Sequence, residues 1–187
     1  MLSLQEKYRK EVIPAMMQKF GYKSSMAVPK IEKVIINTGI GRAMTQKTSQ
    51  EQKGLIERFS QDLALISGQK PSICQAKQSI SAFKVREGMP LGLKVTLRGE
   101  RMYDFLARLI VIALPRSRDF RGIEPGAVDL KGNLTIGIKE HIVFPEISAE
   151  NVKQIFGLEV TVVTTARTKE EGLELLRLLG FPLKYKK

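Results

Sequence analysis

Residues 68–106 read GQKPSICQAKQSISAFKVREGMPLGLKVTLRGERMYDFL, a basic, weakly hydrophobic segment that leads into a cleanly alternating stretch and then a helical one. Leu91, Leu93, Val95 and Leu97 alternate with Gly92, Lys94, Thr96 and Arg98, so a strand here packs one face inward and presents the other. From Glu100 the period changes: Tyr103, Leu106, Leu109 and Ile110 form one face of a helix that Pro115 is expected to stop. Upstream of the strand, Lys70, Lys77, Lys84 and Arg86 are spaced by Gln69, Ser72, Gln75, Gln78, Ser79 and Ser81, groups that suit sugar and phosphate oxygens. From Lys70 to Arg101 only Glu87 and Glu100 oppose these cations together with Lys94, Arg98 and Arg101. The segment therefore reads as a surface for a phosphate backbone, or more plainly as a solvated basic face.

The same reading extends in both directions. Leu4, Tyr8, Val12, Met16 and Phe20 predict an opening helix, kinked or restarted at Pro14 and ended by Gly21. A strand, IEKVIIN, follows Pro29 and is expected to end at Asn37, with NTGIG as a tight turn exposing Asn37 and Thr38. Thr48 and Glu51 have capping-box spacing ahead of a helix with Leu55, Phe59, Leu63 and Ile66 on its apolar face and Gly68 as its cap. After the loop RSRDFRGIEPGAVDLKGN, expected to be long, exposed and mobile, LTIGI and VTVVTT read as strands. A last helix is capped by Thr168 and Glu171 and ends at Gly180.

The order of elements is helix, strand, helix, two strands, helix, strand, strand, helix. This pattern predicts an α+β fold: one antiparallel-type sheet with helices on one face, split βαβ-like. The 187 residues form a single domain, with residues 76–87 as a projecting arm and 116–133 as an exposed loop.

Charge narrows the partners. A net charge of +12 favours an anionic partner, nucleic acid ahead of a membrane surface. The longest apolar run, Leu109 to Leu114, is far shorter than the roughly 20 residues of a membrane span, so no membrane partner is expected. The N-terminus lacks the apolar core of a secretory signal and carries Glu6 and Glu11, which does not suit a transit peptide. Cys74 is the only cysteine and His141 the only histidine, too few for a zinc site or a paired nucleophile, so no metal and no cofactor is expected.

Other motifs point away from catalysis. NTGIGRAM places glycines between a strand and a helix, but it lacks the third glycine of GxGxxG and the GK[ST] of a P-loop. Glu140, His141 and Glu146 read as a polar cluster at a strand edge rather than an acid–base pair. With aromatics at 6%, stacking on bases is not the expected mode of RNA contact. No catalytic residue is assigned.

Six segments in order, VPKIEKVIINTGIG, ISGQKP, AKQSISAFKVREGMPLGLKVTLRGERMYDFL, LPRSRDFRG, GNLTIGIKEHIVFPEI and VTTARTKEEGLELL, resemble the bacterial-type large-subunit ribosomal protein 5 family across nearly the whole chain. The resemblance implies a non-enzymatic constituent of the large subunit that binds 5S rRNA in the central protuberance, beside large-subunit rRNA and neighbouring 5S-binding ribosomal proteins. By similarity Asn37, Gln69, Arg86 and Thr96 face 5S rRNA, joined by Thr38, Lys94 and Arg98. Amide and hydroxyl groups suit 2′-hydroxyls and base edges in a wide minor groove, and the cations suit phosphate.

The resemblance also implies that the arm, through Lys77, Ser79, Ser81 and Phe83, reaches the elbow of the peptidyl-site tRNA. The loop carrying Arg116, Arg118, Arg121, Asp129 and Lys131 would bridge to small-subunit protein thirteen. Thr38, Arg42 and AVDLKGN depart from the family pattern, and the segment Thr45 to Lys53 is longer than typical. Alternatives are a free-standing regulator of structured RNA, and an organellar rather than a cytoplasmic ribosome.

Overall fold

A computed structural model describes residues 3–44, 48–118, 120–148, 150, 152 and 154–184, without the side chains of residues 42 and 49. Most of the longer segment expected between Thr45 and Lys53 is in view, but residues 45–47 lie outside the described ones.

The chain opens with a helical run, α1, that starts at Leu4–Lys7, passes through a π-helical turn at Tyr8–Val12 and resumes at Ile13–Phe20. Strand β1 is Ile31–Gly39, helix α2 is Ser49–Ser67, and β2 (Ser72–Gln75) and β3 (Pro90–Leu97) flank the arm. Next comes α3, which begins at Gly99–Arg108, continues through a π turn at Leu109–Ala113 and finishes at Leu114–Arg116. Strands β4 (Leu134–Ile138) and β5 (Leu158–Thr164) precede helix α4, Lys169–Leu179.

The two π turns share a cause. Ile13 donates to Tyr8 O immediately before Pro14, and Leu114 donates to Leu109 O immediately before Pro115. In an α-helix each proline ring would meet the carbonyl four residues back; widening the turn relieves that clash. Pro115 therefore does not stop α3 as expected, and the helix runs on to Arg116.

All pairs in the five-stranded sheet are antiparallel and the order is β2-β3-β1-β5-β4, so the first strand in sequence sits in the middle. One face is apolar: Val34 and Ile36 of β1, Leu93, Val95 and Leu97 of β3, Leu134 and Ile136 of β4, and Val160 and Val162 of β5 are buried. They form one core with Val12 and Met16 of α1, Phe59, Leu63 and Ile66 of α2, Phe105, Leu106 and Leu109 of α3, and Leu175, Leu176 and Leu179 of α4. This is the expected α+β layer. In β1, β3, β4 and β5 alternate residues are given to that core, which leaves the intervening ones for the opposite face, whereas the edge strand β2 buries none of its residues.

The loop 116–133 is more fixed than a long mobile connector would be. Ile123 is buried and exchanges backbone hydrogen bonds with the C-terminal segment, its N–H donating to Pro182 O at 2.8 Å and its carbonyl accepting from Lys184 N at 2.9 Å. Val128, also buried, bridges to Leu134. The loop's exposed groups are thus held on an anchored frame.

Candidate nucleic-acid interface

The open sheet face is assembled by strand register. Lys94 lies opposite Asn37, Asn37 opposite Glu159, Ser72 opposite Lys94 and Gly137 opposite Glu159, giving a row Ser72–Lys94–Asn37–Glu159–Gly137 across all five strands. Directly opposed residues in an antiparallel pair point to the same side, so this row is one surface. A second row, two residues along, is Thr96–Ile35–Thr161–Thr135. Lys33 pairs with Val163 one step further, with a bulge beyond it between Lys33 and Ile31, and Arg98 continues the alternation of β3.

Most of these side chains are exposed or half-buried, and they are polar or short. The Thr135 and Thr161 hydroxyls lie 3.3 Å apart. Glu32 sits 3.5 Å from Lys33 Nζ and 3.8 Å from Arg98 Nη1, which ties the two cations to one edge of the face. The result is a hydrogen-bonding surface with Lys94 in its central row, Lys33 and Arg98 at one edge and no aromatic ring in either row, a chemistry for backbone and groove contact rather than base stacking.

The site residues read from sequence divide on this geometry. Lys94, Thr96 and Arg98 share one face, as the alternation predicts, and Asn37, expected in a turn, lies on that face opposite Lys94. Gln69 stands beside it, its Nε2 donating to Thr96 O at 3.4 Å. Arg86 lies off the rows on the return leg of the arm, in a cleft with Gln52, Lys84 and Met89.

Thr38 is a correction. The strand does not end at Asn37 but continues to Gly39, and Thr38 is buried on the helix side, its Oγ1 donating to Gly157 O at 2.7 Å. Adjacent residues of a strand point to opposite faces, so Asn37 and Thr38 cannot both meet one ligand there.

The arm folds as a short hairpin: Ala76 N donates to Met89 O at 2.8 Å, and Ile80 and Val85 exchange two backbone hydrogen bonds near the tip. Lys84 adopts a left-handed conformation, φ 52°, to make the turn. Lys77, Ser81 and Phe83 are exposed, Phe83 at 70%, whereas Ser79 Oγ already accepts from Glu87 N at 2.9 Å.

On the far loop Arg116, Arg118, Arg121 and Lys131 are at least partly exposed. Asp129 is exposed too but occupied: it accepts from Lys131 N and Asn133 N, each at 2.8 Å, and from Asn133 Nδ2 at 2.9 Å. Partial burial works against its charge, but the bonds from Asn133 and Lys131 prevail and hold its carboxyl below the usual carboxylate range. It organises the loop before it can contact a partner.

The polar cluster at 140–146 does not come together. His141 is fully buried, stacked on Phe156 with ring centroids 3.9 Å apart, its Nδ1 accepting from Phe156 N at 3.3 Å. Burial lowers its pKa despite Asp62, 3.7 Å from Nε2. Glu146 instead pairs with Arg108, whose Nη2 donates to Ile66 O at 3.1 Å.

Sequence reasoning passed over Lys33, Glu159, Thr161 and Thr135 as members of this face. Their signal was present, since the alternation used for β3 also runs through LEVTVVT and LTIGI, but which strands lie side by side is not written in any one of them.

A polar sheet face carrying several cations on a helix-backed α+β domain suits contact with nucleic acid. The comparisons agree: residues 24–86 match the family described as Ribosomal protein L5, and residues 90–183 match the model for the C-terminus of the same ribosomal family. The large ribosomal subunit protein uL5 of Dictyoglomus turgidum is 55% identical over 97% of this chain and 98% of its own length. That of Thermoanaerobacter sp. is 53% identical over the same shares. The chain belongs to the uL5 family of bacterial large-subunit ribosomal proteins, structural components of the cytoplasmic ribosome rather than enzymes, with ribosomal RNA among their partners.

Proposed function

We propose that the open sheet face binds 5S rRNA and helps attach it in the central protuberance, against large-subunit rRNA and neighbouring 5S-binding proteins. The observation that carries this reading is the cross-strand row centred on Asn37, with Lys94 on one side and Thr96, Gln69 and Arg98 close by. Amide and hydroxyl groups at strand spacing match 2′-hydroxyls and base edges of a wide, shallow minor groove, and the flanking cations displace counterions from phosphate. Arg86 contributes from the arm side, on a separate stretch of backbone.

In the same reading the arm, with Lys77, Ser79, Ser81 and Phe83, meets the elbow of the peptidyl-site tRNA, and Arg116, Arg118, Arg121, Asp129 and Lys131 bridge to small-subunit protein thirteen. Exposed Phe83 at the end of a hairpin and an anchored loop bearing several cations support these roles. The decisive experiment is binding of the purified chain to 5S rRNA against an unrelated structured RNA of equal length, with crosslinked nucleotides identified. Selective binding with crosslinks from β1 and β3 supports the proposal. Equal binding to both RNAs would leave only a non-specific basic protein.

A further inference from the structure

The open face contains a carboxylate that phosphate binding does not explain. Glu159 lies directly opposite Asn37 in the central row, is exposed, and forms no ion pair or side-chain hydrogen bond among the described residues, in contrast to Glu32, which is matched to Lys33 and Arg98. Neighbouring strands are about 4.8 Å apart, so the Glu159 and Lys94 backbones, one on each side of Asn37, stand roughly 10 Å apart. An unpaired carboxylate in the middle of a surface that approaches a polyanion costs affinity unless the RNA offers it a hydrogen-bond donor.

In an RNA minor groove two kinds of group can do so, the 2′-hydroxyl that every nucleotide carries and a donor on the base edge, and only the second can depend on sequence. In the minor groove adenine and the pyrimidines present acceptors at the base edge, and guanine alone adds a donor, its exocyclic amino group. Asn37 carries both a donor and an acceptor beside Glu159, so the pair is complementary to guanine's adjacent ring nitrogen and amino group: Asn37 Nδ2 donates to the nitrogen and a Glu159 oxygen accepts from the amino group. We infer that Glu159 is a specificity-determining residue of the RNA face, which with Asn37 reads the amino edge of a guanine. This rests on the reading of the sheet as the 5S rRNA surface and adds to it a sequence-dependent contact.

The test uses the full chain and 5S rRNA transcripts in which inosine, guanine without its amino group, replaces guanosine at random positions. Bound and unbound pools are compared for wild type, Glu159→Ala and Glu159→Gln. With wild type, inosine at one or a few positions should impair binding. Glu159→Ala should bind unsubstituted RNA about tenfold more weakly and lose that interference, while Glu159→Gln, which keeps an accepting oxygen, should retain part of both. Unchanged or tighter binding by Glu159→Ala, or an interference pattern identical to wild type, would overturn the assignment. So would a magnesium-dependent loss without inosine interference, since the carboxylate would then act through a cation. If wild type shows no preference for 5S rRNA, the underlying reading fails with it; if that preference is intact and only the Glu159 effects are missing, this inference alone fails.

Discussion

Gly132 and Gly172 meet backbone to backbone: a Cβ on Gly172 would stand 2.3 Å from Gly132 Cα. The contact seats the end of the 116–133 loop on the first turn of α4, where Thr164 Oγ1 donates to Gly132 O at 3.0 Å and Thr164 N to Asn133 Oδ1 at 2.9 Å. Because the obstructing atoms are main chain, they cannot rotate away as a flexible side chain would.

Gly172→Ala should therefore destabilise the protein by roughly 1–3 kcal/mol, despite alanine's better helix propensity. Gly54→Ala is the matched control, since a Cβ there meets nothing within 4 Å, and it should stabilise by about 0.5–1 kcal/mol. Urea midpoints of the two variants decide the point; equal shifts would show that the close approach is relieved at no cost.

Thr38→Val keeps the size of the side chain but removes the hydroxyl that donates to Gly157 O. Leaving that carbonyl without its partner should cost about 1–3 kcal/mol of stability. Affinity for RNA, measured where the variant is fully folded, should not change, because Thr38 is on the covered face. A large loss of affinity with unchanged stability would return Thr38 to the RNA surface.

Removal of Lys94 or Arg98 should reduce the slope of log affinity against log salt by about one unit each, if each neutralises one phosphate. Arg98 shares Glu32 with Lys33, so its loss also alters that edge, and Lys94→Ala is the cleaner case. Thr96→Val should lower affinity with little change of slope. Salt titrations of the three variants that superimpose on wild type would remove these contacts.

His141 is held neutral by burial, its pKa below the ordinary histidine value. The unfolded chain binds a proton at about pH 6.5 and the folded one only at lower pH, so the unfolded state holds more protons in between and stability falls as pH drops below about 6.5. Asp62, whose pKa is raised by burial against the pull of His141, has the opposite linkage but acts lower, from the carboxylate range upward. Urea unfolding from pH 8 to 5.5 should show the decline in wild type and a flatter profile in His141→Phe, even though that variant loses the bond to Phe156 N and starts less stable.

Replacing the arm tip, residues 77–84, by a short glycine–serine turn should spare 5S rRNA affinity and weaken protection of the tRNA elbow in footprinting. The closing bond from Ala76 N to Met89 O lies outside the deleted segment, so β2 and β3 remain joined. An unchanged tRNA footprint would argue against that division of labour.

The elements and their faces are legible along the chain. Alternation in LGLKVTLR, helical spacing in LIERFSQDLALI, the Thr48 and Thr168 caps and the left-handed glycines at 21, 68 and 180 all act within a few residues, so each declares itself locally. The α+β class followed from them, and Lys94, Thr96 and Arg98 were correctly put on one face. Strand neighbours and their register, by contrast, emerge only when the chain folds. That choice placed Glu159 against Asn37, turned Thr38 inward, pinned the 116–133 loop through Ile123 and Gly132, and separated His141 from Glu146. Most of these depend on contacts between residues far apart in sequence, and a one-residue change of register would reverse every one that depends on a strand face; no local propensity specifies it, only the simultaneous burial of all the apolar strand faces under the helices.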